Sequence, residues 1–126
     1  MPRFVVLHHV VPAESERSTH FDLMLEADGA LLTWELPQSP QQSTDQAARR
    51  LPDHRLDYLS IEGPLSENRG TVTRWDAGTY TAEADELKRR PGSIDVRLSG
   101  KKLRGRLRLE EFDDEPQRWR FSFSTD

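Results

Sequence analysis

Short segments in which apolar and polar residues alternate recur along this chain of 126 residues. The clearest runs from His20 to Ala27 and is followed by Asp28-Gly29, a pair that favours a two-residue hairpin turn because glycine accepts positive φ. A period of two is typical of β-strands with one buried face. Many short strands at near-regular spacing predict a mainly β fold, a compact antiparallel β-barrel with one or two short helices. The other predicted strands are residues 4–10, 30–36, 56–61, 71–75, 79–81, 94–98, 103–109 and 118–124.

Two short helices are predicted between these strands. Ser43 or Thr44 is a suitable N-cap for a helix over residues 45–50. A second helix is predicted at residues 84–90, because Pro91-Gly92 would end it. The segments predicted as turns or loops are residues 52–55, 62–70, 76–78 and 113–115.

The bulk composition limits the class of protein. The chain is long enough for one hydrophobic core, and no repeat or linker divides it, so residues 1–126 are predicted to form a single domain. Its net charge of −4 argues against non-specific coating of nucleic acid, although a local basic groove remains compatible with it. The absence of cysteine excludes disulfides, thiolate metal sites and cysteine nucleophiles. No signal peptide or membrane span is recognisable, and the expected location is the cytoplasm.

Histidine and aspartate side chains on neighbouring predicted strands are the strongest chemical signal. His20 and Asp22 lie two positions apart on one strand and face the same side, whereas only one of His8 and His9 can point towards them. An imidazole beside a carboxylate can form a metal site, a phosphate site or a polar surface. Two imidazoles with one carboxylate, which leave positions open to water and substrate, form a recurring catalytic metal arrangement.

Five motifs occur in an order that resembles the 3′-phosphoesterase domain of bacterial and archaeal DNA ligase D. Residues 20–29, H-F-D-L-M-L-E-A-D-G, are similar to the family's H-Y-D-F-R-L-E-x-D-G. Residues 53–58, D-H-R-L-D-Y, are similar to its D-H-P-L-x-Y. The other matches are F-V-V-L-H-H at residues 4–9, W-D-A-G-T-Y at residues 75–80 and L-S-G-K-K-L-R-G at residues 98–105. The resemblance covers nearly the whole chain in order and is therefore specific.

This resemblance implies a compact β-barrel that acts on DNA 3′ ends at primer–template junctions with Mn²⁺ or another divalent metal. The implied reaction removes a 3′-phosphate or a 3′-terminal ribonucleoside during repair by end joining. Carried over position by position, the metal ligands are His9, His20 and Asp22. His54 and Tyr58 correspond to residues that line the phosphate pocket. The resemblance thus predicts these five residues as the catalytic set.

The chain departs from the family pattern at two phosphate-binding positions. Met24 stands where the family has an arginine, and Gln38 stands where it has a lysine. Methionine cannot supply a cation or a paired hydrogen-bond donor. The loop between the first two ligands, residues 10–19, is also longer than in the family. The arginines that are candidates to compensate are Arg49, Arg50, Arg55 and Arg69.

These departures leave alternative functions open. One is a catalytically weakened module that keeps the metal and binds DNA ends or another phosphate ligand. A scaffold domain without a metal is disfavoured, because drift would be expected to erode three matched ligands. The chain ends soon after its last predicted strand, so ligase or polymerase partners are expected in trans, and the chain itself is expected to be a monomer.

Basic and aromatic residues on the predicted strands allow two further predictions. One basic strand face can follow a DNA backbone or form an ordinary charged outer surface. The tryptophans are predicted to lie in the core because each belongs to an alternating strand. The basic residues are Lys102, Arg104, Arg106 and Arg108, and the tryptophans are Trp34, Trp75 and Trp119.

Overall fold

The computed structural model describes residues 1–82, 92–112, 115 and 117–126. Within these ranges the chain is mainly β, as the alternation predicts. Two short 3₁₀ helices, η1 (Leu56–Leu59) and η2 (Ser66–Asn68), lie between strands. The strands are β1 (Arg3–Val10), β2 (His20–Ala27), β3 (Ala30–Leu36), β4 (Asp45–His54), β5 (Gly63–Pro64), β6 (Thr71–Ala82), β7 (Ser93–Gly100), β8 (Arg104–Glu111) and β9 (Arg118–Thr125).

All the described strands belong to one antiparallel sheet with the order β1-β2-β3-β4-β9-β8-β7-β6-β5. Because β1 pairs with both β2 and β6, the sheet closes into a ring-like arrangement. The predicted mainly β, antiparallel architecture is confirmed. Asp28 and Gly29 both have positive φ (51° and 81°) and form the turn between β2 and β3, as predicted.

The inward-facing residues of the strands form the main hydrophobic core. Trp34 and Trp119 are buried in it with their rings edge to face at 5.5 Å. Trp75 packs against the same core but is only partly buried, and the ammonium group of Lys102 lies 4.5 Å from its ring centre. The core prediction therefore holds in full for two tryptophans and in part for the third.

A second, smaller apolar cluster covers the opposite face of β1, β2 and β3. Its buried members are Val5, Leu7, Met24 and Leu31, and residues of η1 pack on it from outside. Strand β2 therefore places His20 and Asp22 on the same face as an apolar patch. Met24, two positions beyond Asp22 on that face, is 1% exposed.

The prediction of a helix over residues 45–50 and a turn over residues 52–55 is wrong. Both segments belong to β4, because residues 45–49 pair with β9 and long-range pairing overrides the local capping signal. Pro52 is accommodated where the register with β3 shifts, so its missing N–H interrupts no regular ladder. The predicted strand at residues 56–61 is also wrong. Residues 56–59 form η1 instead, and its apolar side chains cover the second cluster.

Residues 71–82 form one long strand rather than two strands with a turn at 76–78. The strand is irregular at Trp75, where the register with β1 shifts. The buried carboxylate of Asp76 accepts hydrogen bonds from the backbone N–H groups of Lys101 (2.9 Å), Lys102 (3.2 Å) and Leu103 (2.8 Å). The W-D-A-G motif is thus structural, since Asp76 fixes the β7–β8 turn.

Two predicted segments cannot be compared fully with the structure. The helix predicted at residues 84–90 lies outside the described residues, as do Asp113 and Asp114 of the predicted acidic turn. Among the residues that are described, no helix is long and apolar enough to cross a membrane.

Candidate metal centre and phosphate pocket

The three predicted metal ligands meet where β1 ends and β2 begins. His9 lies directly opposite His20, and Asp22 lies two residues further along β2 on the same face. One ligand atom from each residue lies within 4.8 Å of the others. All three side chains are buried, and a group of buried polar atoms requires partners.

Hydrogen bonds to backbone carbonyls orient both imidazoles. His20 Nδ1 lies 2.8 Å from the Ser18 carbonyl oxygen, and His9 Nε2 lies 2.8 Å from that of Arg69. A carbonyl can only accept, so each of these nitrogens carries the proton. The other ring nitrogens, His20 Nε2 and His9 Nδ1, both face Asp22, at 3.4 Å and 3.9 Å, and are the nitrogens that could ligate a metal. Metal-binding histidines are held in this way by their other nitrogen.

The carboxylate of Asp22 completes the evidence that the residues fit a cation. Its Oδ1 atom is buried and forms no close hydrogen bond within the described part of the chain, since the facing His20 Nε2 atom lies 3.4 Å away. Leaving a buried carboxylate oxygen unpaired is costly, and a metal ion would satisfy it. Two imidazole nitrogens and a carboxylate suit a first-row transition metal such as Mn²⁺, Fe²⁺ or Zn²⁺, and the donor set does not select among them.

Carboxylates around His20 make this corner of the site favourable for positive charge. Burial acts to lower the pKa of His20, but hydrogen bonding and charge from Asp22, the Ser18 carbonyl and the charge of Glu35 outweigh it and raise the pKa above its usual value. Glu35 Oε1 lies 3.4 Å from His20 Nε2. The same negative potential that favours a protonated imidazole favours a bound cation.

A pocket of about 280 Å³ adjoins the metal centre. The residues predicted to bind phosphate, His54 and Tyr58, both line it with their rings edge to face at 5.0 Å. His9 and Asp22 border the same pocket, whereas His20 borders a neighbouring cleft. The structure thus brings the five predicted residues to one face of the sheet.

The two substituted positions do not contribute a cation to this pocket. Met24 is enclosed in the second apolar cluster. Gln38 ties the loop after β3 to β4, because its backbone N–H donates to Gln46 Oε1 (3.0 Å) and its carbonyl accepts from Gln46 Nε2 (2.9 Å).

The four arginines considered as replacements are placed differently. Arg69 lines the pocket and Arg49 lines the neighbouring cleft, whereas Arg55 lines neither. Arg50 lies over the Trp34 ring at 4.8 Å and donates to the carbonyl oxygens of Thr33 and Leu51.

An arginine that the sequence did not indicate, Arg17, lies beside the predicted metal ligand His20. Its Nη2 atom is 3.4 Å from His20 Nε2 and also forms an ion pair with Glu35. Arg17 borders both the pocket and the neighbouring cleft. Its only sequence signal is its position in the lengthened loop, three residues before a predicted ligand.

The basic strand face is largely paired with carboxylates. Arg106 donates to Asp95 Oδ1 at 2.8 Å, and Arg108 lies 3.3 Å from Glu110 Oε1. Arg104 donates to the carbonyl of Gly100. These contacts favour a charged outer surface over a DNA-binding track.

The sequence profile described as the DNA Ligase D 3′-phosphoesterase domain matches residues 12–111. That span includes His20, Asp22, His54 and Tyr58, while His9 precedes it. The multifunctional non-homologous end joining DNA repair protein LigD of Mycobacterium tuberculosis is 32% identical over 105 residues, which cover 79% of this chain and 14% of that protein.

Two other relatives show a similar degree of identity. The multifunctional non-homologous end joining protein LigD of Pseudomonas aeruginosa is 34% identical over 112 residues, covering 82% of this chain and 13% of that protein. The Mycolicibacterium smegmatis protein of the same description is 30% identical over 119 residues, covering 85% of this chain and 15% of that protein. The chain thus spans about a seventh of the length of these relatives. It belongs to the DNA ligase D 3′-phosphoesterase domain family.

Proposed function

We propose that this chain is a divalent-metal-dependent phosphoesterase that removes a 3′-phosphate or a 3′-terminal ribonucleoside from DNA ends, with Mn²⁺ as its metal. The observation that carries the proposal is the convergence of His9 Nδ1, His20 Nε2 and the buried Asp22 carboxylate beside the His54–Tyr58 pocket. Membership of the family supports the reaction class. In this site a bound divalent cation would polarise a phosphoryl oxygen and lower the pKa of a bound water.

The protein's own residues would bind and orient the phosphate. The Pro52 carbonyl accepts from His54 Nδ1 at 2.9 Å, which leaves Nε2 as the nitrogen that can exchange a proton with a bound phosphate. The Tyr58 hydroxyl can donate a hydrogen bond to a phosphoryl oxygen. Donors fixed before the reaction are effective because they need no reorganisation as charge develops.

The relatives act in non-homologous end joining, and we extend that role to this chain as a DNA-end processing step. Its substrate would be the 3′ end of a primer–template junction in the cytoplasm. Polymerase and ligase activities would be supplied by separate partners, and the chain would act as a monomer.

The direct test is release of phosphate from a 3′-phosphorylated primer–template by the purified full chain with Mn²⁺. A 3′-terminal ribonucleotide on the same duplex tests the second substrate, and a 5′-phosphorylated duplex is the control. We expect phosphate release from the 3′-phosphorylated duplex and no phosphate release from the control. From the second substrate we expect release of the terminal ribonucleoside, which leaves a 3′-phosphate on the DNA. No release from either substrate with Mn²⁺, Mg²⁺, Co²⁺ or Zn²⁺ would contradict the proposal.

A second candidate function is metal-dependent binding of phosphorylated DNA ends without turnover. The burial of Met24 favours it, because the position is closed to the pocket and supplies no cation. Selective binding of the 3′-phosphorylated duplex without any release of phosphate would establish this function in place of hydrolysis.

The Tyr58→Phe variant distinguishes a phosphate contact by the Tyr58 hydroxyl from packing by its ring. The ring also packs on the second apolar cluster, so phenylalanine keeps that contact and removes only the hydroxyl. We expect kcat for 3′-phosphate release to fall by roughly 10²–10³-fold, the usual effect of losing one fixed donor to developing charge. Steady-state kinetics with an unchanged thermal midpoint would confirm the role. A kcat equal to that of the wild type would assign Tyr58 to packing alone.

A further inference from the structure

The phosphate pocket needs a cation that β2 does not supply, since Met24 is buried in an apolar cluster. A phosphate group carries up to two negative charges, and arginine binds it best because its planar fork can donate two parallel hydrogen bonds. In the described part of the chain, the arginines that line the pocket are Arg17 and Arg69.

The guanidinium of Arg69 forms hydrogen bonds within its own loop. Its Nε atom donates to the Ser66 carbonyl (2.9 Å) and its Nη2 atom to Ser66 Oγ (3.0 Å). Its backbone carbonyl holds His9 in the metal-binding orientation. Two of the three nitrogens of the Arg69 guanidinium are therefore already occupied by Ser66.

The guanidinium of Arg17, by contrast, keeps two of its three nitrogens available to an anion. Within the described residues only its Nη2 atom is engaged by side chains, in the contacts to Glu35 and His20. Its side chain is 52% exposed. The Nη1 and Nε atoms remain able to donate to an anion at the border between the pocket and the cleft.

Hydrogen bonds attach the loop that carries Arg17 to the rim of the site. Asn68 Nδ2 donates to Glu14 Oε1 at 3.2 Å, which joins this loop to η2 across the pocket. Within the loop, the Arg17 backbone N–H donates to Ser15 Oγ at 3.1 Å and the Val11 N–H to Thr19 Oγ1 at 3.3 Å. These bonds hold the base of Arg17 near the site.

We propose that Arg17 is the phosphate-binding cation of this site, supplied by the β1–β2 loop in place of the arginine that Met24 replaces. The inference rests on the proposed function and deepens it. In the absence of substrate, Glu35 holds the guanidinium beside His20. The Arg17 end of this ion pair is half exposed to solvent, so the pair contributes little to stability and a phosphate can take Arg17 from Glu35 at small cost.

The charge balance of the site supports this exchange. A metal at His9, His20 and Asp22 would lie beside Nη2 of Arg17, because Nη2 is 3.4 Å from the ligating nitrogen of His20. Two neighbouring cations repel each other, and an anionic phosphate bound by both removes the repulsion. Arg17 is thus expected to favour the phosphorylated end and not to strengthen binding of the metal itself.

The test measures binding and turnover separately in the full chain. Fluorescence anisotropy of metal-free protein compares a 3′-phosphorylated primer–template with the same duplex ending in a 3′-hydroxyl. We expect Arg17→Ala to weaken binding of the 3′-phosphorylated duplex by about 10-fold or more, the usual loss for a charge-assisted contact. Binding of the 3′-hydroxyl duplex and Mn²⁺ affinity should not weaken. Arg17→Lys should recover part of the loss, since it restores charge without the fork.

Arg108→Ala is the matched control. Arg108 is exposed on the outer face and paired with carboxylates, so its loss should leave selectivity for the 3′-phosphate unchanged. Arg17→Ala that binds the 3′-phosphorylated duplex as tightly as the wild type would overturn the inference. Wild-type protein that prefers this duplex through Arg17 but releases no phosphate would leave the inference standing and contradict hydrolysis alone.

Discussion

His20→Ala is expected to abolish phosphate release from a 3′-phosphorylated DNA end. His20 is 3% exposed, and its Nε2 atom faces Asp22 while Nδ1 is held by Ser18. Alanine would remove a proposed ligand outright, so the loss should exceed the roughly 10–100-fold that follows removal of a residue behind the ligands. Single-turnover phosphate release at saturating Mn²⁺ provides the measurement.

His8→Ala is the control for this variant. His8 is the neighbouring histidine of β1, but it points to the other face and stacks on Phe21 at 4.4 Å. It should retain wild-type turnover and metal binding. Equal losses of turnover in the two variants would show that the effect comes from impaired folding. Wild-type turnover in His20→Ala would show that His20 has no part in catalysis.

Asp76→Ala is expected to give the largest loss of stability. The buried carboxylate accepts three backbone N–H groups of the β7–β8 turn, and alanine would leave all three without their acceptor. Hydrogen bonds to a charged group are worth about 1.5–3 kcal/mol each, so we expect the free energy of unfolding to fall by about 3 kcal/mol after partial rehydration of the turn. Urea denaturation measures this change.

Asp45→Ala provides a matched aspartate control. Asp45 pairs with Arg120 on the surface, with both side chains more than half exposed. Exposed pairs contribute little, and no measurable shift in the urea midpoint is expected. An Asp76→Ala midpoint as high as that of Asp45→Ala would show that the turn does not depend on the carboxylate.

The strand pattern was predictable wherever one face is apolar and the other polar. Residues 20–27, 94–98 and 118–124 alternate cleanly, and each forms a strand of the ring. The pattern fails in β4, where both faces carry charged or small residues and the strand is recognised only by pairing with β9. It fails again at η1, whose apolar residues cover the outside of the sheet and mimic a half-buried strand.

The candidate site was predictable to the extent that it lies on strands. The resemblance and the period of two together indicate that His9, His20 and Asp22 share a face, and the register places them together. Arg17 was not predictable, because the path of the loop between β1 and β2 depends on contacts such as Asn68 to Glu14 that no local pattern encodes. The orientation of Arg69, which turns its fork towards Ser66, has the same cause.

A titration of the purified full chain with Mn²⁺, followed by electron paramagnetic resonance, tests the central claim most directly. Wild-type protein is predicted to bind one ion, and Asp22→Ala is predicted to lose that binding because it removes the carboxylate that faces both imidazoles. The absence of stoichiometric binding in the wild type, or unchanged binding in Asp22→Ala, would contradict the account.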